Sequence, residues 1–354
     1  LGGATGMIGD PSGKDKEREL SSQDKLVAQA QMISDQIDEF FQKVTGQGAD
    51  IVNNYDWVSE LSAIDLLRDV GKHFTINWMM GKESVKGRIG REETGISYTE
   101  FSYMILQGYD FYHLFKERGC RLQVGGGDQW GNITAGCELI RRKAGAEGYA
   151  LTFPLITTAS GKKFGKSEKG AIFLNPRLTS PYAFYQYWIN THDDDVCKFL
   201  GYFTFLEQDE IKGYEQAVAE RPHLREAQTR LAEETTRMIH GQEELDKVKA
   251  ASQALFGKGD LKSVDLNTLK AAMESAPSVE YEKGQLPDLP QMLLDMGLVK
   301  SKGQARKDIK GGGLSVNGFK VGEDKLQPTP DDFLEGQIMI LRKGKKHYGL
   351  VTLA

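Results

Sequence analysis

Residues 121–145 read RLQVGGGDQWGNITAGCELIRRKAG and carry the clearest signal of the fold. RLQV is typical of a short strand, the three glycines after it indicate a turn, and ITAGCELIRRKAG has the pattern of a helix. A strand that passes through a glycine turn into a helix is the unit of a parallel α/β sheet. LTFPLITT, at 151–158, is predicted to be another buried strand. We therefore predict an α/β, Rossmann-like parallel-sheet domain over residues 1–178.

The chain changes character twice beyond this domain. Glycine becomes rarer after about residue 180, and successive helical patterns predict an α-helical domain over residues 179–280. The stretch SAPSVEYEKGQLPDLP, at 275–290, is rich in Pro, Gly and charge and indicates a linker. Residues 288–354 then predict a small α+β domain with a basic helix, a glycine turn and short strands.

The overall composition excludes several classes of protein. Contents of 39% hydrophobic and 27% charged residues over 354 residues are typical of a soluble chain of two or three domains. No apolar run approaches the ~20 residues that span a bilayer. The three cysteines form no CxxC pair, which predicts a reducing, cytoplasmic location. The six histidines show no ligand-like clustering, so we expect no protein-bound metal.

Charge is divided unevenly along the chain. Residues 1–299 hold 34 Lys and Arg against 44 Asp and Glu, whereas residues 300–354 hold 11 against 6, so the net charges are −10 and +5. A basic tail on an acidic body predicts a polyanionic partner for the tail. The alternative for the basic helix of this tail is an ordinary solvated face. The candidate RNA-binding residues on and near that helix are Lys302, Arg306, Lys307 and Lys310.

The opening stretch, LGGATGMIGDPSGKDKER, is rich in glycine but matches neither common nucleotide loop. The P-loop pattern fails at two positions, and the G-x-G-x-x-G spacing of dinucleotide folds is absent. We interpret the stretch as a glycine turn after a strand, with Asp10 at its end. Lys14 and Arg18 are four residues apart and share one face of a helix start, which is either phosphate-binding or merely solvated. Because Leu1 stands where a strand should be ending, we expect the natural chain to begin upstream.

The stretch SYTEFSYMILQGYD, at 97–110, places three polar side chains on one stripe of a predicted helix. Tyr103, Gln107 and Asp110 are spaced i, i+4 and i+7. The stripe is either an ordinary solvated face or one wall of a site for a small polar ligand. In the second case Asp110 can accept a hydrogen bond from a substrate hydroxyl, and the set can hold an ammonium group.

The turn GGGDQWGN has a structural and a functional interpretation. Its three glycines let a ligand approach the backbone closely, and Asp128 can bind ribose hydroxyls with the neutral Gln129 beside it. The structural alternative is a tight strand-to-helix turn in which Asp128 caps the helix.

The loop GKKFGKSEKG also has two interpretations. It carries Lys163, Lys166 and Ser167 between glycines, so it can close on a polyphosphate as charge develops and then open again. The alternative is an exposed, lysine-rich surface loop, and composition alone favours that alternative.

In this order the motifs resemble one family, the bacterial-type tyrosyl-tRNA synthetases, which are class I aminoacyl-tRNA synthetases. The segments that carry the resemblance run along essentially the whole chain: GGATGMIGDPSGK, NNYDW, GKHF, TGISYTEFSYMILQGYD, GGGDQWGNIT, KFGKS and SPYAFYQYWIN. The resemblance implies activation of tyrosine by ATP to tyrosyl-adenylate and pyrophosphate, followed by transfer of the tyrosyl group to tRNA(Tyr). It also implies that 179–280 recognises the anticodon and that 288–354 is an S4-like RNA-binding domain.

The resemblance further implies a tyrosine site. Asp10, Tyr103 and Gln107 would hold the ammonium group of tyrosine. Asp110 would accept a hydrogen bond from the phenolic hydroxyl. Gln129 would lie near the tyrosine carboxylate, and Gln123 would lie on the floor of the pocket. Asn54 would support the pocket.

An ATP site is implied in the same way. Gly126 and Asp128 would bind the adenosine ribose, ATP would be a substrate accompanied by Mg²⁺, and neither an organic cofactor nor a covalent enzyme intermediate is expected. Lys163, Lys166 and Ser167 would stabilise the departing pyrophosphate. Lys14 and Arg18 would lie near the phosphates.

The chain departs from the family at two places. The His-Ile-Gly-His-like first signature is absent from these residues, and Gly127 stands where the family more often has Ser. Without the first signature we expect no tyrosine activation by this chain alone, and we expect exposed apolar sheet surface.

The family implies a homodimer formed through the catalytic domain. Two rival functions are a non-catalytic RNA-binding protein and a ligase for another amino acid, against which Asp110 argues.

Overall fold

The described chain forms two compact units, Leu1–Phe164 and Gly165–Ala354. The three predicted domain ranges are not tested by this division and stay predictions. The computed structural model describes residues 1–12, 23–87, 95–161, 164–167, 170–256, 260–274, 276–344 and 347–354.

The first unit packs helices beside a small parallel sheet. Strands β1 (Leu122–Gly126) and β2 (Tyr149–Phe153) are parallel, with Leu122 opposite Tyr149 and Gly126 opposite Phe153. A π-helical turn, Leu66–Val70, and 3-10 turns at Gly71–His73 and Gly127–Gln129 connect the helices. The helices are α1 (Gly3–Ile8), α2 (Gln23–Thr45), α3 (Tyr55–Val58), α4 (Ala63–Asp65), α5 (Ile76–Met80), α6 (Glu83–Lys86), α7 (Tyr98–Arg118) and α8 (Trp130–Ala144).

The strand, turn and helix predicted from residues 121–145 are confirmed as β1, the 3-10 turn and α8. The strand predicted at 151–158 is shorter and begins earlier, because Pro154 has no N–H to continue the ladder beyond Phe153. It is also not buried: on one face of the sheet Leu151 is 44% exposed and Phe153 57% exposed. The same face includes Leu122, Val124 and Tyr149, which are exposed as well.

The opening stretch is a short helix, so its interpretation as a glycine turn after a strand is wrong. The first N–H groups of a helix have no partner within it and need acceptors from outside. Asn53 Oδ1 accepts the Gly3 N–H at 3.1 Å, and Asn54 Oδ1 accepts the Ala4 N–H at 2.9 Å. These caps come from about fifty residues downstream, so the local glycine content could not reveal them.

Helix α7 is confirmed where it was predicted and packs closely against α8. The Ser97 hydroxyl caps its first turn, and Gly119, with a φ of 66°, ends it in the left-handed region. Gly108 permits the close approach, because a Cβ there would lie 3.3 Å from the carbonyl carbon of Ala135. Phe111, fully buried, fills the space opposite Gly136.

The second unit consists of helices followed by a mixed sheet. Strands β3 (Lys166–Ser167) and β4 (Gly170–Ala171) form a small antiparallel hairpin at its start. The helices are α9 (Pro181–Ile189), α10 (Asp193–Phe203), α11 (Gln208–Glu220), α12 (Glu226–His240), α13 (Gln242–Phe256), α14 (Leu266–Met273), α15 (Leu289–Asp295) and α16 (Lys302–Lys310). The sheet has the order β5 (Ser278–Tyr281), β9 (His347–Leu353), β8 (Ile338–Lys343), β6 (Leu314–Val316), β7 (Phe319–Lys320).

The predicted linker at 275–290 contains a strand, so the linker interpretation is wrong over this part. Strand β5 pairs in parallel with β9, with Ser278 opposite Leu350. Val279 and Tyr281 pack against the core of the C-terminal sheet. Their period-2 spacing is the strand signal, and the neighbouring Pro and Gly obscured it.

Candidate active site

Asp10 lies at the centre of a hydrogen-bonded cluster in the first unit. It follows α1 through Gly9, whose φ of 87° turns the chain sharply. Its Oδ2 accepts a bond from Gln129 Nε2 at 2.6 Å, and its Oδ1 accepts the Ser12 N–H at 2.9 Å. The structure therefore brings together two residues of the predicted tyrosine site that are far apart in sequence.

Asn132 belongs to this cluster and is missing from the sequence prediction. It is 2% exposed, and its Nδ2 lies 3.3 Å from Asp10 Oδ1, Ser12 Oγ and Gln129 Oε1. The prediction began the helix at Ile133, which left Asn132 in a loop. Because α8 begins at Trp130, the i, i+3 spacing to Gln129 is the signal that was available.

Asn54 connects the opening helix to α7. It is 2% exposed, and its Nδ2 donates to Thr5 Oγ1 at 3.1 Å and to Asp110 Oδ2 at 3.3 Å. Its Oδ1 is occupied by the Ala4 N–H. The amide can satisfy all three bonds only in one orientation, so it holds the Asp110 carboxylate in a defined position.

Asp110 has one carboxylate oxygen with no bond. Its Oδ1 is buried and has no hydrogen-bond partner within the described part of the chain. Burial raises the pKa of Asp110 above its ordinary value of 3.8, although the bond from Asn54, the amino group of Leu1 and the Trp57 indole act in the opposite direction. The indole Nε1 of Trp57 is itself buried and makes no hydrogen bond of acceptable geometry within the described part of the chain. A buried acceptor without a donor is unusual in a folded protein, and a ligand hydroxyl would satisfy it.

The predicted stripe of α7 is partly enclosed. Tyr103, Gln107 and Asp110 are each partly buried, and Met104 and Leu106 between them are buried. The opposite side of the helix packs against the core with Phe101, Ile105, Tyr109 and Tyr112. This arrangement argues against an ordinary solvated face and favours the wall of a ligand site.

Gln123 supplies a second open acceptor. It lies on β1, and its buried Oε1 has no hydrogen-bond partner among the residues that the structure describes. A buried amide oxygen with no donor costs free energy unless a ligand or water pairs with it. Its prediction as part of the pocket floor is consistent with this environment.

The end of β1 brings the backbone and Asp128 close together. A Cβ at Gly126 would lie 2.6 Å from Asp128 Oδ1 and 3.1 Å from Leu155 Cδ2, so a side chain there would displace the end of the Asp128 side chain. The Asp128 side chain is exposed. The N-cap residue of α8 is Gln129 and its side chain makes no cap bond, so the structure does not support Asp128 as a helix cap.

The predicted phosphate-binding residues are covered only in part. Lys14, Arg18 and Lys163 lie outside the described residues, as do the side chains of Lys166 and Ser167. The backbone of the last two is described: Lys166 pairs with Ala171 and Ser167 with Gly170 across the β3–β4 hairpin. Their roles therefore stay predictions.

The predicted RNA-binding helix is α16, and its basic side chains face solvent. Ala305 and Ile309 are buried on its inner side. Arg306 is 3.9 Å from an Asp288 carboxylate and Lys310 is 4.0 Å from Glu323, at the outer limit of ion pairing. Such pairs are weak, so they leave the cations available for another anion. The exposed basic residues are Lys302, Arg306, Lys307 and Lys310.

The described residues contain no group of three or more His, Cys, Asp or Glu side chains placed to hold a metal ion. Among the described helices, we find none with the length and apolar character needed to cross a membrane.

Comparison with protein families gives two matches that together span most of the chain. Residues 1–257 match the family described as tRNA synthetases class I (W and Y). Residues 268–351 match the tyrosine–tRNA ligase SYY-like C-terminal domain.

Curated relatives agree with these families. The chain is 50% identical over 355 residues to the tyrosine–tRNA ligase of Bacillus velezensis, covering 99% of this chain and 83% of that protein. It is 49% identical over 353 residues to that of Staphylococcus saprophyticus, with the same coverage. It is 49% identical over 356 residues to that of Geobacillus stearothermophilus, covering 100% of this chain and 84% of that protein.

Two solved structures of tyrosyl-tRNA synthetases are also similar to this chain. A C-terminally truncated mitochondrial tyrosyl-tRNA synthetase from Aspergillus nidulans superposes with a TM-score of 0.60 at 32% identity, covering 72% of this chain and 75% of that one. The corresponding protein from Coccidioides posadasii gives 0.56 at 30% identity, covering 70% and 72%. The chain therefore belongs to the bacterial-type tyrosine–tRNA ligases, which are class I aminoacyl-tRNA synthetases.

Proposed function

We propose that the Asp10 cluster, together with the Asn54–Asp110 pair, binds tyrosine for activation by ATP. The observation that carries this proposal is the buried, unpaired Oδ1 of Asp110, whose other oxygen is held by Asn54. A phenolic hydroxyl is a donor of the right size and polarity for that acceptor. Because a substrate without the hydroxyl would leave the carboxylate unpaired, the site selects tyrosine over phenylalanine.

The ammonium group of tyrosine is assigned to Asp10, Tyr103 and Gln107. Asp10 supports this role because Gln129 and Asn132 hold its carboxylate in place before any ligand arrives. A fixed anion binds a cation without a further ordering cost.

The reaction joins the tyrosine carboxylate to ATP. A carboxylate oxygen attacks the α-phosphorus, the new P–O bond gives tyrosyl-adenylate, and pyrophosphate leaves with the electrons of the broken bond. A terminal ribose hydroxyl of tRNA(Tyr) then attacks the tyrosyl carbonyl carbon, AMP leaves, and the hydroxyl proton is released. The side chains bind and orient the reactants, and none forms a covalent intermediate.

The ATP site is assigned to Gly126 and Asp128 at the ribose, with Mg²⁺ bound to the phosphates of the substrate. The backbone at Gly126 and the exposed Asp128 carboxylate support this assignment. The phosphates are assigned to Lys14, Arg18, Lys163, Lys166 and Ser167 on the resemblance alone.

The solvent-facing cations of α16 are proposed to bind the phosphate backbone of tRNA. A homodimer and a cytoplasmic location are proposed with the family. The match of residues 1–257 to a synthetase family favours the ligase over a non-catalytic RNA-binding protein.

Tyrosine-dependent ATP–pyrophosphate exchange tests the proposal, with phenylalanine as the control amino acid. The assay uses the natural enzyme that contains residues 1–354. We expect exchange with tyrosine and not with phenylalanine. No exchange with tyrosine, or equal exchange with both amino acids, would overturn the assignment.

A further inference from the structure

A hydrogen bond joins the described part of the loop after Phe164 to helix α9. The backbone N–H of Gly165 donates to Tyr187 Oη at 3.2 Å. The carbonyl of the same glycine accepts the Ile172 N–H at 3.0 Å, which closes the base of the β3–β4 hairpin. Gly165 is therefore the point at which the hairpin of the KFGKS loop meets the helices of the second unit.

Tyr187 is itself held firmly. It is partly buried, and its ring meets Trp188 edge to face at 5.4 Å between centroids. Trp188 is 6% exposed and packs against Phe203 at 5.1 Å. Burial raises the pKa of Tyr187, and this outweighs the lowering by the Gly165 N–H, so the hydroxyl is neutral at physiological pH. The acceptor that faces Gly165 is thus placed by the aromatic core of the second unit.

Gly165 has a backbone conformation that favours glycine. Its φ of 80° is in the left-handed region, which glycine adopts at no steric cost. A hydrogen bond to its N–H restricts the backbone angles that Gly165 can adopt.

We propose that Tyr187 is a positioning residue for the KFGKS loop: its hydroxyl fixes Gly165 and so orients the lysine-bearing segment for the activation step. This inference rests on the proposed function of that loop in stabilising the departing pyrophosphate. Tyr187 acts through the backbone of Gly165, and no contact with substrate is required of it. Without the bond, the loop samples more orientations, and a smaller fraction of them supports the reaction.

Helix α9 supplies a matched control. Tyr182 lies five residues earlier on the same helix and is 5% exposed, whereas the recorded acceptor of the Gly165 N–H is the hydroxyl of Tyr187. Tyr182→Phe removes the same atom from the same helix without touching Gly165. Tyr187→Phe and Tyr182→Phe both retain the buried ring, so both variants are expected to fold.

Hydrogen–deuterium exchange at the Gly165 amide tests the contact directly. In Tyr187→Phe we expect this amide to exchange about 5-fold faster, the effect of losing one neutral hydrogen bond, while Tyr182→Phe leaves it unchanged. An unchanged Gly165 amide in Tyr187→Phe, or an equal acceleration in both variants, would overturn the proposal. This readout does not depend on catalysis.

Pyrophosphate exchange by the natural enzyme that contains residues 1–354 tests the consequence. We expect Tyr187→Phe to lower kcat about 3- to 10-fold with the KM for tyrosine unchanged, and Tyr182→Phe to leave both constants unchanged. Equal kcat in wild type and Tyr187→Phe, or a change confined to the KM, would refute the positioning role. If the wild-type enzyme itself shows no exchange, the proposed function fails and this role fails with it, whereas the amide measurement still decides the contact.

Discussion

Asn54 Nδ2 lies 3.3 Å from Asp110 Oδ2, and the same amide group caps the first turn of α1 through its oxygen. One buried side chain thus supports both the opening helix and the carboxylate that we assign to the tyrosine hydroxyl.

Asn54→Ala should destabilise the protein and weaken tyrosine binding together. It removes the bonds to Ala4, Thr5 and Asp110 in a buried environment, which we expect to lower the free energy of unfolding by about 1–3 kcal/mol. Urea denaturation and calorimetric titration with tyrosine measure the two effects. Asn53→Ala is the control, because it removes the cap on Gly3 without a recorded bond to Asp110. Equal losses of tyrosine affinity in both variants would contradict the assignment.

Asp110→Asn should reduce tyrosine activation sharply. A hydrogen bond to a charged acceptor contributes about 1.5–3 kcal/mol, so we expect the kcat/KM for tyrosine in exchange to fall at least about 10-fold. The isosteric amide keeps the volume of the site, so urea denaturation should show no loss of stability. An unchanged exchange rate would remove Asp110 from the site.

Stability should depend on pH through Asp110. Its pKa is raised above 3.8 by burial. At pH values between the pKa of Asp110 in the unfolded chain and its higher pKa in the folded chain, the folded chain binds more protons at this group. The free energy of unfolding therefore falls as pH rises through this window. Urea denaturation from acid to neutral pH gives the free energy of unfolding of wild type and of Asp110→Asn. We expect the difference between these two free energies to change with pH. A difference that is the same at every pH would show that Asp110 is not the group responsible.

Gly108→Ala should separate α7 from α8. The added methyl group would lie 3.3 Å from backbone of α8 and from the Phe74 ring, and overpacking of this kind costs about 1–3 kcal/mol. Because α7 carries Tyr103 and Asp110, tyrosine binding should weaken too. Gly213→Ala, in α11 with no atom within 4 Å of the new methyl, should be neutral or stabilising. Thermal unfolding that ranks the two variants in the opposite order would contradict this account of the packing.

Removing charge from α16 should weaken tRNA binding in a salt-dependent way. The double variant Lys302→Ala/Lys307→Ala removes two exposed cations, so the slope of log affinity against log salt should fall by about 1–2. Lys212→Ala, at an exposed ion pair on α11, is the control. Filter binding with tRNA at several salt concentrations gives the slopes, and identical slopes in all variants would exclude α16 from the interface.

Sequence alone predicted the elements whose signals are local. The stripe of α7 follows from i, i+4 and i+7 spacing, and the strand, turn and helix at 121–145 follow from composition and periodicity. These succeed because a helix or a strand imposes its own period on the residues that it buries. The family motifs added the chemistry that spacing could not supply.

Long-range contacts account for what the sequence did not show. The opening stretch is helical because Asn53 and Asn54 cap it from a distance, and β5 is a strand because β9 pairs with it. Asn132 enters the Asp10 cluster only because α8 begins earlier than its apolar pattern does. The caps of α1 and the pairing partner of β5 lie outside any local window of sequence, whereas Asn132 has a local signal in its i, i+3 spacing to Gln129.

The apolar face of the β1–β2 sheet has a practical consequence for work with this protein. Side chains such as Val124, 52% exposed, and Phe153, 57% exposed, meet water along two adjacent strands. A contiguous apolar face promotes self-association, and kosmotropic salts strengthen the burial of such surface. The fraction of protein that stays in solution should therefore fall as protein concentration rises, and more in sulfate than in chloride, so the choice of purification buffer matters for this chain.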